Sequence, residues 1–299
     1  MYCGLFLVVL GTRLVRADDP KFEYGKAEEV KDVKAVEWLA TAEAGLVLTT
    51  GNSDTTAATG GLKVSRKERA NKVSFEASGV YAKQGLRILL DKNGNGLIDD
   101  PSEIVSTSSL TTEMFASRLR YDRFLTELNS LFVAALAARN LPAGKESVIG
   151  AQAGYSRSLY KTKTAQTVAE LGYDFSREDL ITGEPLSIHS GRLFFGHRAT
   201  MTAGTDVETA LELLTNVNRE TLPTGKDGGP LQDTRVNFKV AISAKIGKNL
   251  AVQTSLEARY DNRPGPLAIK NLAMGFVPEA SSLDTIMNAQ FIYTFTGAK

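Results

Sequence analysis

Hydrophobic and polar residues alternate along most of this chain, most clearly between Asp233 and Asp261. Val236, Phe238, Val240, Ile242, Ala244 and Ile246 fall on one side, and Arg235, Asn237, Lys239, Ala241, Ser243 and Lys245 on the other. A period of two is the signature of a β-strand. After Gly247-Lys248-Asn249 the pattern restarts, with Leu250, Val252, Leu256, Ala258 and Tyr260 opposed to Gln253, Ser255, Glu257, Arg259 and Asp261. The segment therefore predicts a hairpin whose strands are about ten residues or longer, where soluble strands average about five or six and bilayer-crossing strands need about nine to eleven. Length and alternation together predict a transmembrane β-barrel.

The same rhythm starts at Trp38 and recurs to the end of the chain. Strands are expected at 41–50, 55–66, 72–81, 108–122, 130–138, 146–156, 165–175, 187–197 and 207–214, then the two of the hairpin, then 285–295. That makes about twelve, an even number, as in bacterial barrels. The fifth is apolar on both sides, and the eighth fits either phase. Connections near 67–69, 126–127, 162–163, 204–205 and 248–249 are short, whereas 85–107, 139–145, 177–186, 216–232 and 262–284 are longer. Only GNSD (51–54) breaks the alternation. Short periplasmic turns and longer extracellular loops sort in this way in outer-membrane barrels, so the fold class expected is an all-β, antiparallel, up-and-down barrel.

Composition narrows the picture further. The 299 residues carry 35 Lys plus Arg against 34 Asp plus Glu, so charge gives no reason to expect a nucleic acid partner. No apolar run reaches the roughly eighteen residues a spanning helix requires. LFLVVL (5–10) followed by Val15-Arg16-Ala17 reads as an export signal cleaved after residue 17, although no Lys or Arg precedes its apolar stretch. Cys3, the only cysteine, would leave with it, which removes disulfides and Cys-ligated metal from consideration. Residues 18–37 are rich in Lys and Glu and are expected to form a periplasmic segment with a short charged helix. The barrel is assigned to 38–295, with 85–107 as an extracellular insertion and 296–299 as a tail.

The chemistry-bearing positions are few. LLDKNGNGLIDDPSE places Asp91, Asn93, Asn95, the Leu97 backbone and Asp99 at positions 1, 3, 5, 7 and 9 of a calcium loop, with Gly96 at the sharp turn. Position 12 is Ser102, so Glu103 is assigned as the last ligand, with Asp100 as its rival and a metal-free Gly/Asn turn as the alternative to the whole motif. Ca²⁺ here would stiffen a surface loop. His189 and His197, the only histidines, lie eight apart on one strand face, ~26 Å at a rise of ~3.3 Å per residue, and so cannot share a triad or a metal. The catalytic-residue expectation is none, with a barrel hydrolase as the minor rival.

The faces assigned inward carry Glu43, Lys63, Glu76, Arg118, Arg120, Asp122, Glu170, Asp174, Glu212, Arg235, Lys239, Lys245, Glu257 and Arg259, of both signs in near balance. Small barrels are filled by side chains and wide ones hold water. Twelve strands lie between, so a charge-paired interior with a structural role and a narrow channel both stand, the structural role being preferred.

Trp38, AEAGLVLTTGNSDTT (42–56), GGLKVSR (60–66), LRYDRFLTELNSLFVAA (119–135), GYSRSLY (154–160), ELGYDFSRE (170–178) and IYTF (292–295) resemble the salt-induced outer membrane protein family, domain of unknown function 481. The resemblance covers 38–295 and implies a barrel in the outer membrane of a Gram-negative bacterium, with membrane lipid and the assembly machinery as partners. The family has no established molecular activity and supplies no catalytic residues; the function expected is a structural or envelope-adaptation role. In this sequence Phe295 is followed by Thr-Gly-Ala-Lys, whereas outer-membrane strands commonly end on an aromatic residue.

Overall fold

The computed structural model describes residues 37–49, 54–89, 94, 104–141, 143–181, 183–221, 227–266 and 281–298. Its strands are β1 (Glu37–Thr49), β2 (Asp54–Glu68), β3 (Asn71–Leu89), β4 (Ile104–Phe124), β5 (Asn129–Asn140), β6 (Lys145–Lys161) and β7 (Ala165–Leu180). They continue as β8 (Leu186–Thr202), β9 (Thr205–Asn216), β10 (Glu220–Thr221), β11 (Asp227–Gly228), β12 (Thr234–Lys245), β13 (Leu250–Asp261) and β14 (Leu283–Ala298). β10 and β11 form a small ribbon in the connection between β9 and β12. The other twelve strands each pair antiparallel with their neighbours, and β14 closes onto β1. Closure leaves no strand edge unpaired, the condition for a sheet to cross a membrane.

Burial is inside out relative to a soluble protein. β5 alternates strictly, with Phe132, Ala134, Leu136 and Ala138 buried and the odd-numbered side chains between them largely exposed. Phe115, Leu119, Val133, Ile149 and Leu171 are each at least half exposed, while Arg118, Arg120, Glu170 and Arg192 are at most 2% exposed. An apolar outer face over a charged interior fits a hydrocarbon exterior and no aqueous one. The chain is a membrane-spanning β-barrel. In the hairpin that first gave the pattern, Phe238, Ile242 and Ile246 face out, and Lys239, Lys245, Glu257 and Arg259 line the lumen.

The turns at 69–70, 125–128, 162–164, 203–204 and 246–249 are tight, and local chemistry shapes them. Thr126 Oγ1 accepts from Leu128 N and from Asn129 Nδ2, and Thr162 Oγ1 accepts from the amides of Thr164 and Ala165. At the opposite end, Gly144 has φ +73, and a Cβ there would sit 2.1 Å from the Pro266 carbonyl oxygen, so only glycine fits.

Several boundaries differ from those expected. β3 and β4 pair as far as Leu89 and Ile104, so both ends of the 85–107 insertion, 85–89 and 104–107, are strand. A register shift at Ala82/Lys83 marks where the ribbon begins to outrun the barrel, and β5 leaves β4 at Met114. The run IVSTSSLTT is β-branched and hydroxyl-rich, a strand composition that its polarity disguises as loop. β14 continues through Thr296 and Gly297 to Ala298, paired with Leu39, Trp38 and Glu37, so 296–298 belong to the barrel and not to a tail. Connections 141–144 and 181–185 are also shorter than expected, because β5 to β8 run on into them. The expected signal (1–17) and nearly all of the 18–37 segment lie outside the described residues, as do the 91–103 ligands Asp91, Asn93, Asn95, Leu97, Asp99 and Glu103. Gly94, an exposed bend with φ +74, is the described residue within that loop.

Candidate functional site: the barrel lumen

One wall of the lumen is a packed ionic network. Glu170 on β7 is its centre: Arg120 Nη2 on β4 donates to Oε1 at 2.8 Å, and Arg192 Nη1 on β8 donates to Oε2 at 2.8 Å. Arg120 Nη2 also donates to Asp122 Oδ1 at 2.6 Å, and Arg192 Nε to Glu212 Oε1 at 2.6 Å. Asn237 on β12 donates to the other Glu212 oxygen at 3.1 Å. A second thread runs from Arg118 Nη2 to Gln152 Oε1 at 3.2 Å, and from Gln152 Nε2 to Asp174 Oδ1 at 2.7 Å. These charge-assisted bonds offset a desolvation cost of several kcal/mol for each buried ion.

The network rests on an aromatic floor. The Arg120 guanidinium carbon lies 4.1 Å from the Phe132 ring centroid, and that of Arg192 lies 5.4 Å from Phe194. Phe132, Gly154, Gly172 and Arg192 occupy one hydrogen-bonded row across β5 to β8. A Cβ on Gly154 would stand 2.9 Å from the Phe132 ring, so the glycine is what lets the ring lie flat against the wall. This explains why β5 is apolar on both sides: its inward side chains underlie arginines.

Near the outer mouth a second group forms. Glu178 Oε1 accepts from Lys145 Nζ at 3.1 Å and from Arg235 Nη1 at 2.6 Å, and Arg235 Nη2 reaches Asp233 at 3.3 Å. Above it, Asn216 Oδ1 accepts from the Asp233 amide and its Nδ2 donates to Glu220, tying the β10–β11 ribbon to the barrel rim. Glu220 is buried, and burial followed by the neighbouring Asp233 carboxylate pushes its carboxyl up to about 7.

The opposite wall is open. A polar cavity of about 420 Å³ at the periplasmic end is lined by Thr41, Lys72, Asp206, Ser243, Lys245 and Thr294 among others. A smaller one, about 100 Å³, lies at mid-barrel beside Arg118, Glu212, Lys239, Ser255, Glu257 and Asn288. Both include Glu43, Lys63, Glu76, Glu208 and Gln253, so they are two parts of one path.

All fourteen side chains expected inward are in the lumen network, its rim or the cavity lining. Arg192, Gln152, Glu178 and Asp233 were missed. Arg192 was hidden because β8 admits either phase by sequence, and Glu178 because it lies beyond the expected strand end. His189 and His197 share the odd-numbered face of β8, opposite Arg192. His189 Nδ1 meets the Tyr173 hydroxyl, and His197 Nδ1 lies 2.9 Å from Thr167 Oγ1. Among the described residues no group of three or more His, Cys, Asp or Glu side chains is arranged to hold a metal ion.

A family model described as "Protein of unknown function, DUF481" matches residues 42–295. The chain belongs to that family. Within this DUF481 barrel, RYDRF supplies Arg120 and Asp122, LNSLF supplies Phe132, GYSRSLY supplies Gly154, and ELGYDF supplies Glu170, Gly172 and Asp174. Comparison with curated proteins gives no match. Among solved structures, the NanC porin is similar at 12% identity and a TM-score of 0.44, with 85% of this chain and 98% of that chain covered. OmpT, an outer membrane protein of Vibrio cholerae, is similar at 10% identity and a TM-score of 0.36, covering 88% and 98%. The translocator domain of the autotransporter NalP from Neisseria meningitidis is similar at 11% identity and a TM-score of 0.38, covering 88% of each chain.

Proposed function

We propose that this barrel is a narrow aqueous channel for small hydrophilic solutes, running along the wall formed by β1–β3, β9 and β12–β14. The observation that carries this reading is the pair of polar cavities that share Glu43, Lys63, Glu76, Glu208 and Gln253, one opening toward the periplasmic end and the other reaching mid-barrel. The ionic network on the facing wall supports it from the other side. A wall of closed ion pairs on an aromatic floor is rigid, so it narrows the lumen without collapsing into it. The reading preferred from sequence, a purely structural barrel, predicts an interior sealed by ion pairs; the dense network occupies one wall, and the facing wall, which carries the pairs Glu43–Lys63 and Glu257–Arg259, still lines two cavities together with Ser, Thr, Gln and Asn side chains. Chemistry is not required of the site, and a hydrolase would need a nucleophile and base within hydrogen-bond reach.

Single-channel recording of the purified protein in a planar bilayer tests the proposal. Reproducible unitary steps are expected; their absence at protein levels where other reconstituted barrels conduct would return the barrel to a structural role. The Ca²⁺ loop at 91–103 belongs to this proposal as a stiffener of the β3–β4 ribbon tip. Two Asn in place of Asp set an expected dissociation constant of about 10⁻⁴ to 10⁻³ M. Calcium titration followed by protease protection of the ribbon, with no difference between wild type and Asp91→Ala, would eliminate it.

A further inference from the structure

The periplasmic ends of β2, β4 and β6 each carry one exposed arginine on the outer face: Arg66, Arg123 and Arg157. The sheet register sets their depth. Arg66 lies in the hydrogen-bonded row of Val73 and Tyr121, and Arg123 is two residues nearer the periplasm than Tyr121. Arg123 lies in the row of Leu131 and Tyr155, and Arg157 is two residues nearer the periplasm than Tyr155. Rows climb away from the periplasm in this direction, since the one that starts beside the β2–β3 turn at Asn71 reaches β8 at Leu193, well short of that strand's periplasmic end at Thr202. Each arginine is thus displaced ~6.6 Å along the strands for every two strand spacings, ~9.6 Å. That slope, about 35°, matches the strand tilt of a membrane barrel. The displacement cancels the climb, and the three arginines stand at one depth in an arc across five strands.

Polar aromatic tips mark the same depth. The Tyr121 hydroxyl donates to Asn71 Oδ1 at 2.7 Å, and Arg123 Nη1 donates to the same oxygen at 2.8 Å. The Tyr155 hydroxyl donates to Asn129 Oδ1, and Asn129 is the cross-strand partner of Arg157. Tyrosine settles where hydrocarbon meets water, so both rings lie against acyl chains and the guanidinium groups next to them lie among headgroups. Trp38, the single tryptophan of the chain, is the cross-strand partner of Arg66, whose guanidinium carbon is 5.7 Å from its ring.

The charge of this arc is positive. Arg69 and Lys163, both exposed, add to it from the adjoining turns, against Glu68, bonded to Arg66 at 2.5 Å, and Glu127 in the β4–β5 turn. Among the described residues no carboxylate pairs with Arg123 or Arg157. At the extracellular end the outward arginines of β5 and β7 are matched, Arg139 by Glu113 at 3.2 Å and Arg177 by Asp179 at 3.6 Å. Elsewhere around the periplasmic rim the outward strand positions are uncharged, as at Val207, Ala244, Val252 and Phe295.

We infer that the arc over β2–β6 binds the headgroups of anionic phospholipids in the periplasmic leaflet, with phosphate on Arg66, Arg123 and Arg157 and acyl chains against Tyr121 and Tyr155. A guanidinium donates two parallel hydrogen bonds to a phosphate, and a headgroup of net negative charge adds an attraction that a zwitterionic one lacks. This surface acts whether or not the lumen conducts.

Trp38 reports the lipid beside the arc. Full-length protein in phosphatidylcholine vesicles is titrated with dibrominated phosphatidylglycerol or, in a parallel series, dibrominated phosphatidylcholine, and bromine quenching of Trp38 fluorescence gives the relative affinity of the two lipids. Phosphatidylglycerol should be favoured by about threefold to fivefold at low salt, the order expected for one basic residue beside an anionic surface. The preference should shrink in about 1 M KCl, where screening acts within a few Å. The triple variant Arg66→Gln, Arg123→Gln, Arg157→Gln should bring the ratio close to one, whereas Arg177→Gln at the extracellular end should keep the wild-type ratio. Should the triple variant lack heat-dependent gel mobility, the double variant Arg123→Gln, Arg157→Gln is read in its place and should lower the ratio about twofold. Equal affinity for the two lipids in wild type, or a wild-type ratio in an arginine variant of the arc that retains heat-dependent mobility, would overturn the inference.

Discussion

Arg120 and Glu170, fifty residues apart in sequence and on strands separated by two others, are joined by a 2.8 Å hydrogen bond in the fully buried part of the lumen. Arg192 takes the other Glu170 oxygen, so one carboxylate bridges β4 and β8 across the floor made by Phe132. Three side chains thereby fix the spacing of five consecutive strands. Pairing between neighbouring strands alone sets register; this bridge sets the curvature of the wall.

Removing that carboxylate should be costly. Glu170→Gln keeps the shape but leaves two buried guanidinium groups short of an anion, and breaking a buried pair in this way costs about 3–5 kcal/mol. The midpoint of the heat-induced gel-mobility shift should fall well below that of wild type. Glu68→Gln, which removes the partner of Arg66 in a pair roughly half exposed on both sides, should leave it unchanged, since exposed pairs contribute about 0–1 kcal/mol. Equal midpoints for the two variants would show that the network does not hold the wall.

The glycine floor makes a separate prediction. In Gly154→Ala the new methyl would meet the Leu171 carbonyl oxygen at 2.6 Å, the Gly172 Cα at 2.8 Å and the Phe132 ring at 2.9 Å. Two of these are backbone and cannot swing aside, so the strain is expected to cost about 1–3 kcal/mol. At Gly191, on the outer face of β8, a Cβ meets nothing within 4 Å, and Gly191→Ala should be neutral in urea unfolding from detergent micelles. A Gly154→Ala barrel as stable as Gly191→Ala would contradict the close packing of Phe132 against the wall.

These two sites show what the sequence made legible and what it did not. Period-two alternation placed all twelve barrel strands, because a membrane barrel imposes opposite solvents on its two faces and each residue reports its own face. It failed where that rule is suspended. β5 is apolar on both sides because Phe132 supports arginines, and β8 is ambiguous because Arg192 shares the inward face with Ile188 and Phe194. The loop ends were misjudged along β4, where the hydroxyl-rich run 104–112 offers little alternation to read. The inward charges were readable one by one, but which of them pair is a property of three-dimensional distance, and no spacing along the chain encodes it.

The outer mouth should respond to pH. Glu220, in the β10–β11 ribbon, is pushed up to about 7 by burial and then by the neighbouring Asp233 carboxylate, with Arg235 and Arg263 opposing. A carboxyl whose folded value lies above its unfolded one binds more protons in the folded loop, so the packed ribbon is favoured at low pH. That stabilisation is complete below the ordinary carboxylate value, near 4.5, and is lost as pH rises through about 7. Amide hydrogen exchange across 217–233, corrected for the intrinsic pH dependence of exchange, should therefore become less protected between pH 5 and 8. Glu220→Gln, which keeps a neutral side chain at every pH, should hold the low-pH protection throughout that range. Protection that rises with pH in wild type, or a wild-type pH response retained by Glu220→Gln, would show that the ribbon is anchored by its other contacts, those of Asn216 and Asn218 among them, and that the carboxyl pair plays no part in it.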